Sequence, residues 1–324
     1  MKLLSIVLIL VFDCTLVKCR RFTRDHFGYS QDLQRNWSIT NTACAGHHQS
    51  PIHIDTQTAI PLAIPALEFV GYHNLVPRPI SITNNGHSVD LKPYHVPTQI
   101  NSPQIFGGLL PNRYFFDSLH YHWGKRNNRG SEHVINSVRF AMEMHIIHRN
   151  EKYESVAEAL KHEDGLVVLA FFFQIREKDN NELNPILKEL PILTPEGSTV
   201  YMHESFTLAS LISKSTDIFY TYRGSLTTPP CSEAVTWIIF PDPLPVSYTQ
   251  MTRFRTLTTG HHSEHIEDNY RHLQPLGTRK IFVRRRATDS SYYRNIVMNH
   301  TDSEFWENES IEEESESVEI DLNN

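Results

Sequence analysis

Two histidines set one residue apart place the tightest limit on what this chain can fold into. They are His120 and His122, in the run Ser118-Leu119-His120-Tyr121-His122-Trp123-Gly124. Side chains on a β-strand alternate faces with a period of two, so a His-x-His pair on a strand points two imidazoles at one face. A third imidazole, His145 in Glu143-Met144-His145-Ile146-Ile147-His148, completes a three-nitrogen cradle if its own strand lies alongside. The fold must then make these two stretches neighbours in a sheet. Three nitrogen ligands leave one tetrahedral position open, as a catalytic zinc requires, whereas a structural zinc closes all four with protein ligands. Glu143, two residues before His145 and on the same face, is placed to accept the outer ring N–H of a ligand histidine. Such a bond fixes the tautomer and raises ligand basicity. His148 faces the opposite side and reads as a structural histidine. The chain has 19 histidines; His47, His48, His53, His261, His262 and His265 lie in polar, loop-like contexts and receive no metal role.

The surrounding pattern is mostly strand. Pro79-Ile80-Ser81-Ile82-Thr83 runs into a turn at Asn84-Asn85-Gly86. Leu166 to Phe173 and Val235 to Phe240 are continuous apolar runs rich in β-branched and aromatic residues, as in central strands. Tyr153, Val156, Ala157 and Leu160 follow helical spacing, with Gly165 as a stop. With 324 residues, 40% hydrophobic and no linker or repeat, one mainly β (α+β) domain over residues 22–288 is the economical reading.

The two ends differ from this body. Residues 1–19 read as a secretory signal peptide: Lys2, then an apolar run too short to span a bilayer, ended by Asp13. No second run of spanning length and no hydrophobic tail follow, so a secreted, extracellular protein without a membrane anchor is expected. Export leaves Cys44 and Cys231, for which a disulfide is the simplest account and zinc ligation the competing one. The sequons at Asn36, Asn299 and Asn308 are candidate glycosylation sites. Residues 289–324 form an acidic tail; from His300 to Asn324 there are ten acidic residues and no Lys or Arg, and setting these aside moves the formal net charge from −7 to +3. The tail is expected to be disordered and solubilising, with calcium or a basic partner as a less economical role. No nucleic-acid partner is expected.

The motifs carry a resemblance. His120-Tyr121-His122-Trp123-Gly124, Gly130-Ser131-Glu132-His133, Glu143 to His148 and Gly224-Ser225-Leu226-Thr227-Thr228-Pro229-Pro230 stand in the order and spacing of the α-class carbonic anhydrases. Phe27-Gly28-Tyr29, Gln49-Ser50-Pro51-Ile52, Asn84-Asn85-Gly86-His87 and Gln274-Pro275-Leu276 extend the match over about residues 26 to 283. Cys44 and Cys231 fall where exported members of that family form their bridge. The resemblance implies a single domain around a twisted, mostly antiparallel ten-stranded sheet with short peripheral helices. It also implies reversible hydration of carbon dioxide to bicarbonate and a proton, and binding of aromatic sulfonamides.

Residue by residue, the resemblance implies that His120, His122 and His145 hold Zn(2+), whose bound water ionises near pH 7, a value known for carbonic anhydrase itself. The resulting hydroxide attacks the substrate. Thr227 accepts that hydroxide's proton in a hydrogen bond and donates its own to Glu132, which orients a lone pair, and its backbone N–H steadies the developing negative oxygen. Thr228 lines the site beside it. Ile147, Val168, Leu226, Val235 and Trp237 form an apolar wall for carbon dioxide. His87 matches the proton shuttle, a task suited to imidazole, and Tyr29 and Asn85 match residues that order the intervening water. Two positions depart from the family: Ser118 stands where a glutamine usually supports the first zinc histidine, and Asp90 replaces an asparagine near the shuttle. The alternative is a non-catalytic extracellular binding or matrix protein on the same fold; such relatives typically lose a zinc histidine, and this chain keeps all three. A third reading joins the two, an active enzyme of mineral deposition whose acidic tail attracts calcium.

Overall fold

The computed structural model describes residues 27–94, 102–260 and 264–284. The signal segment, the acidic tail, Asn299, Asn308, His261 and His262 lie outside the described residues.

The apolar runs become the middle of one large sheet. Leu166–Arg176 lies between Met142–Asn150, antiparallel, and Val235–Ser247, parallel. Its residues alternate between two cores: Val167, Leu169, Phe171 and Phe173 enter the larger one, and Leu166, Val168, Ala170 and Phe172 the smaller. Burial on both faces is why the sequence there reads as unbroken apolar residues rather than an alternation. Ten strands follow one another across the sheet, in the order Thr199–Tyr201, Ile80–Asn84, Val89–Pro93, Tyr114–Trp123, Met142–Asn150, Leu166–Arg176, Val235–Ser247, Phe219–Gly224, Phe282–Arg284 and Ile60–Leu62. Leu67–Val70 and Gln104–Gly107 branch from it, so among the described residues the sheet has twelve strands rather than ten. Among the described residues, two of its pairings are parallel.

The Asn84-Asn85-Gly86 turn joins two of these strands. Gly86 takes φ +84°, a left-handed conformation that side chains resist, and the Asn85 carboxamide oxygen accepts the N–H groups of His87 and Ser88. Helices stay short. The spacing around Tyr153 yields a single turn, Val156–Ala159, capped by the Ser155 hydroxyl. At Gly165 a side chain would collide with the Ala159 carbonyl, which explains a glycine there beyond its role as a stop. The helix Tyr248–Phe254 carries a reciprocal cap between Ser247 and Gln250. Among the described residues no helix is long and apolar enough to cross a membrane.

Cys44 and Cys231 are joined in a disulfide across 187 residues, which settles the choice between a bridge and zinc ligation in favour of the bridge. It ties the N-terminal 3-10 turn Thr42–Ala45 to the loop that follows Thr227 and Thr228.

Candidate metal centre

Tyr114–Trp123 and Met142–Asn150 are antiparallel neighbours, with His120 directly opposite His145 and His122 opposite Glu143. Opposed residues share a face, so the three imidazoles rise from one patch of sheet. Their ring centroids lie 4.9, 5.1 and 4.7 Å apart. One ring nitrogen from each falls within a 4.8 Å group.

Partners on the outer nitrogens decide which inner nitrogen is free. His145 donates from Nε2 to Glu143 Oε1 at 2.7 Å, leaving Nδ1 to face inward. His122 donates from Nδ1 to the Asn269 carbonyl at 2.7 Å, leaving Nε2 buried with no partner. His120 Nε2 stands 3.2 Å from His145 Nδ1. Two nitrogens that share a tetrahedral zinc at about 2.0–2.1 Å lie about 3.3 Å apart, so the spacing suits a common ion. Burial, and then the rings of His122 and His145, hold His120 well below the usual histidine range; burial also lowers His122. Neutral imidazoles with inward lone pairs are what a zinc ion binds. The residues fit the metal.

Glu143 also accepts the backbone N–H of His133 and, through Oε1, the His133 ring. His133 continues the chain to the Tyr222 hydroxyl, which donates to Ser50. Burial alone would raise Glu143, but the His133 and His145 rings outweigh it and hold the carboxylate well below its usual range. His133, Glu143 and His145 also cluster closely enough for a metal, yet their polar atoms already satisfy one another.

Glu132 is fully buried behind His122. Its Oε1 accepts the Arg271 backbone N–H at 2.8 Å, while Oε2 has no hydrogen-bond partner and lies 3.5 Å from His122 Nε2. Two orphaned buried atoms, one on each residue, thus stand beside the same centre. Thr227 is buried in the turn before the cis Pro229-Pro230 bond. Among the described residues no hydrogen bond joins it to Glu132. Thr228, half-buried, accepts the Cys231 N–H through its carbonyl.

The apolar residues assemble beside the histidines. Val168 pairs with Ile147 on one side and Trp237 on the other, and Val235 lies opposite Leu166. Val168, Val235 and Trp237 are buried in the smaller core, with Ile147 and Leu226 packed against it. The Trp237 ring edge meets His145 at 4.8 Å and its N–H donates to the Ser225 carbonyl.

His87 stacks on Phe27 at 3.9 Å and meets the Tyr29 ring edge at 6.2 Å. Both line a cleft of about 1050 Å³. The Tyr29 hydroxyl is buried, and burial followed by the Glu132 charge raises it well above the usual phenol range. The Asn85 carboxamide oxygen closes its own turn. His148 sits on the far face with its Nε2 2.6 Å from the Tyr72 hydroxyl, as a structural histidine should. Asn36 is exposed.

The two departures have visible surroundings. Ser118 is buried and makes no hydrogen bond to the His120 ring among the described residues, so His120 lacks the kind of acceptor its two partners have. Asp90 lies opposite His120 on the next strand. Burial raises it to about 6, Lys92 opposes this and Asp117 adds to it.

Sequence reasoning missed Asn269, Arg271 and the His133–Tyr222 chain. Asn269 orients His122 through its carbonyl, and its side chain accepts the Trp123 N–H and donates to the His87 and Tyr121 carbonyls. No local pattern marks it; only the nearby Gln274-Pro275-Leu276 match drew notice to that region.

Comparison with known proteins gives the site its context. The eukaryotic-type carbonic anhydrase family matches residues 32–285. The chain is 35% identical to carbonic anhydrase 15 of Mus musculus over 82% of this chain and 84% of that protein. It is 37% identical to carbonic anhydrase 4 of Mus musculus, over 74% and 76% of the two chains. Identity to carbonic anhydrase 7 of Mus musculus is 35%, over 79% and 96%. With the three imidazoles of one sheet face turned to a common point inside this fold, the chain belongs to the eukaryotic-type carbonic anhydrases.

Proposed function

We propose that this chain is a catalytically active, secreted member of the family that interconverts carbon dioxide and bicarbonate, with His120, His122 and His145 as its zinc ligands. The observation that carries the reading is the pair of separately fixed tautomers, His145 by Glu143 and His122 by the Asn269 carbonyl. A chain kept only for its surface has no need to hold two inward lone pairs in place.

When bound, zinc supplies a Lewis acid that makes a coordinated water nucleophilic at neutral pH. The protein's own residues do the rest. Glu132, anchored through Oε1 by the Arg271 N–H, keeps Oε2 to accept the Thr227 hydroxyl hydrogen, so that the hydroxyl oxygen accepts a hydrogen bond from the reacting oxygen rather than donating one to it. The Thr227 backbone N–H stabilises negative charge as it develops on substrate. Ile147, Val168, Leu226, Val235 and Trp237 exclude water from the place where apolar carbon dioxide waits, and Thr228 borders it. His87 carries the proton away through water held by Tyr29 and Asn85.

Export by a cleaved signal peptide and glycosylation at Asn36, Asn299 and Asn308 belong to the same proposal; the disulfide is consistent with an oxidising compartment. So do the domain over residues 22–288 and its acidic tail.

The test is stopped-flow hydration of carbon dioxide by zinc-quantified protein, with and without an aromatic sulfonamide. Sulfonamide-sensitive turnover in the wild type, and loss of both zinc and turnover in His120→Ala, are expected. A wild type that is well folded and zinc-loaded but inactive would remove the proposal.

A further inference from the structure

Beside the metal centre, and separate from it, lies a basin of about 520 Å³ lined by His53, Arg126, Asn128, Arg129, Val134, Ser137, Arg139 and Leu273. Three of these are arginines and none is a carboxylate. Among the described residues, no ion pair with Asp or Glu joins Arg126, Arg129 or Arg139. Three guanidinium groups around one concavity repel one another; the buried Glu143 and Glu132 charges partly offset Arg139, while Arg129 opposes it, and such a cluster is tolerated where a counter-charge visits.

The arginines are held rather than merely gathered. Arg139 donates to the carbonyls of Ser131 and Glu132 and lies over the Tyr270 ring at 4.7 Å. The Arg129 charge acts on the Tyr270 phenol and opposes the rise that burial imposes on it. Arg126 and Arg129 stand opposite each other across a bridge in the loop after Gly124, and both also line the larger cleft, so they form the partition between the two cavities. His53 Nε2 accepts the Ser137 N–H, which leaves its Nδ1 as a donor. The field they create reaches neighbouring groups: His272 is lowered by burial, and then by Arg139, Arg129 and Arg35.

We propose that this basin is a second anion site, which takes a compact oxyanion of two or more negative charges, of the phosphate or sulfate class. Planar guanidinium forks match the tetrahedral oxygens of such an anion in paired, charge-assisted hydrogen bonds. Arg139 supplies a fixed corner, while Arg126 and Arg129, exposed on their loop, close on the ligand from the cleft side.

The experiment titrates inorganic phosphate into full-length, zinc-loaded protein by isothermal calorimetry, with sodium chloride at matched ionic strength as the reference. Saturable binding at one site is expected. The Arg126→Ala/Arg129→Ala variant should bind phosphate about tenfold or more weakly, the scale of two lost charge-assisted contacts, with its zinc content and melting temperature unchanged. Arg126→Glu, a single change at an exposed position, should weaken binding in the same direction. Equal phosphate affinity in the wild type and these variants, or heat that never saturates, overturns the site.

Discussion

His120 faces His145 across the sheet because the pairing of their strands slips by one residue at Asp117. Below the slip Phe116 lies opposite His148, and above it Ser118 lies opposite Ile147. The larger core records the same change of parity: Tyr114 and Phe116 enter it, then Leu119, Tyr121 and Trp123. Were Asp117 paired in the ladder instead of being passed over, His145 would pair with Leu119, and the imidazoles would fall on opposite faces.

Inserting one alanine between Ser118 and Leu119 would bring Leu119 opposite His145 and is therefore expected to abolish zinc retention, whereas Asp117→Ala keeps the residue count and keeps the metal. Zinc stoichiometry after dialysis distinguishes the two. A folded insertion variant that still holds one zinc per chain would show that this register does not set the site.

Glu143→Ala removes the acceptor that fixes His145 and leaves the buried His133 Nδ1 without its acceptor. Zinc affinity is expected to fall roughly 10- to 100-fold, measured by competition with a chelator. Affinity within twofold of wild type would mean that His145 is oriented by packing alone.

In Asn269→Ala the backbone carbonyl that holds His122 survives. The Trp123 N–H and the carbonyls of His87 and Tyr121 lose a side-chain partner instead. A loss of about 1–3 kcal/mol per buried group left unsatisfied is the ordinary scale. Urea unfolding should show a loss of at least that size, with the denaturant slope unchanged; a neutral substitution would contradict this reading.

Burial pushes His148 down from 6.5 to about 3, against the Ile146 and Val167 backbone bonds that favour its charged form. In the unfolded chain the ring takes up a proton near pH 6.5, while in the folded chain it does not until about pH 3. The depressed group therefore contributes stability that is whole above pH 6.5 and drains away as pH falls towards 3. At pH 5 the loss is about 2 kcal/mol. His148→Gln should flatten the stability profile between pH 6.5 and 4 relative to wild type, and an unaltered slope would assign the acid sensitivity to other groups.

Much of this arrangement is legible in the chain. Period-two spacing put His120 and His122 on one face and His148 opposite His145, and the unbroken apolar stretch from Leu166 to Phe173 marked a strand buried on both sides. The glycine-bearing turn before His87 follows from local stereochemistry. These features depend on neighbours within a few residues, which is the range over which side-chain periodicity and φ preferences act. The slip at Asp117 breaks that periodicity by a single residue and depends on which strand lies alongside. Asn269 reaches His122 from 147 residues away, and Arg271 reaches Glu132 from 139. A hydrogen bond closed across such a distance is chosen by the packing of the whole sheet. The sequence alone picked out the three histidines proposed as ligands; tertiary structure decided their register, their tautomers and the arginines gathered beside them.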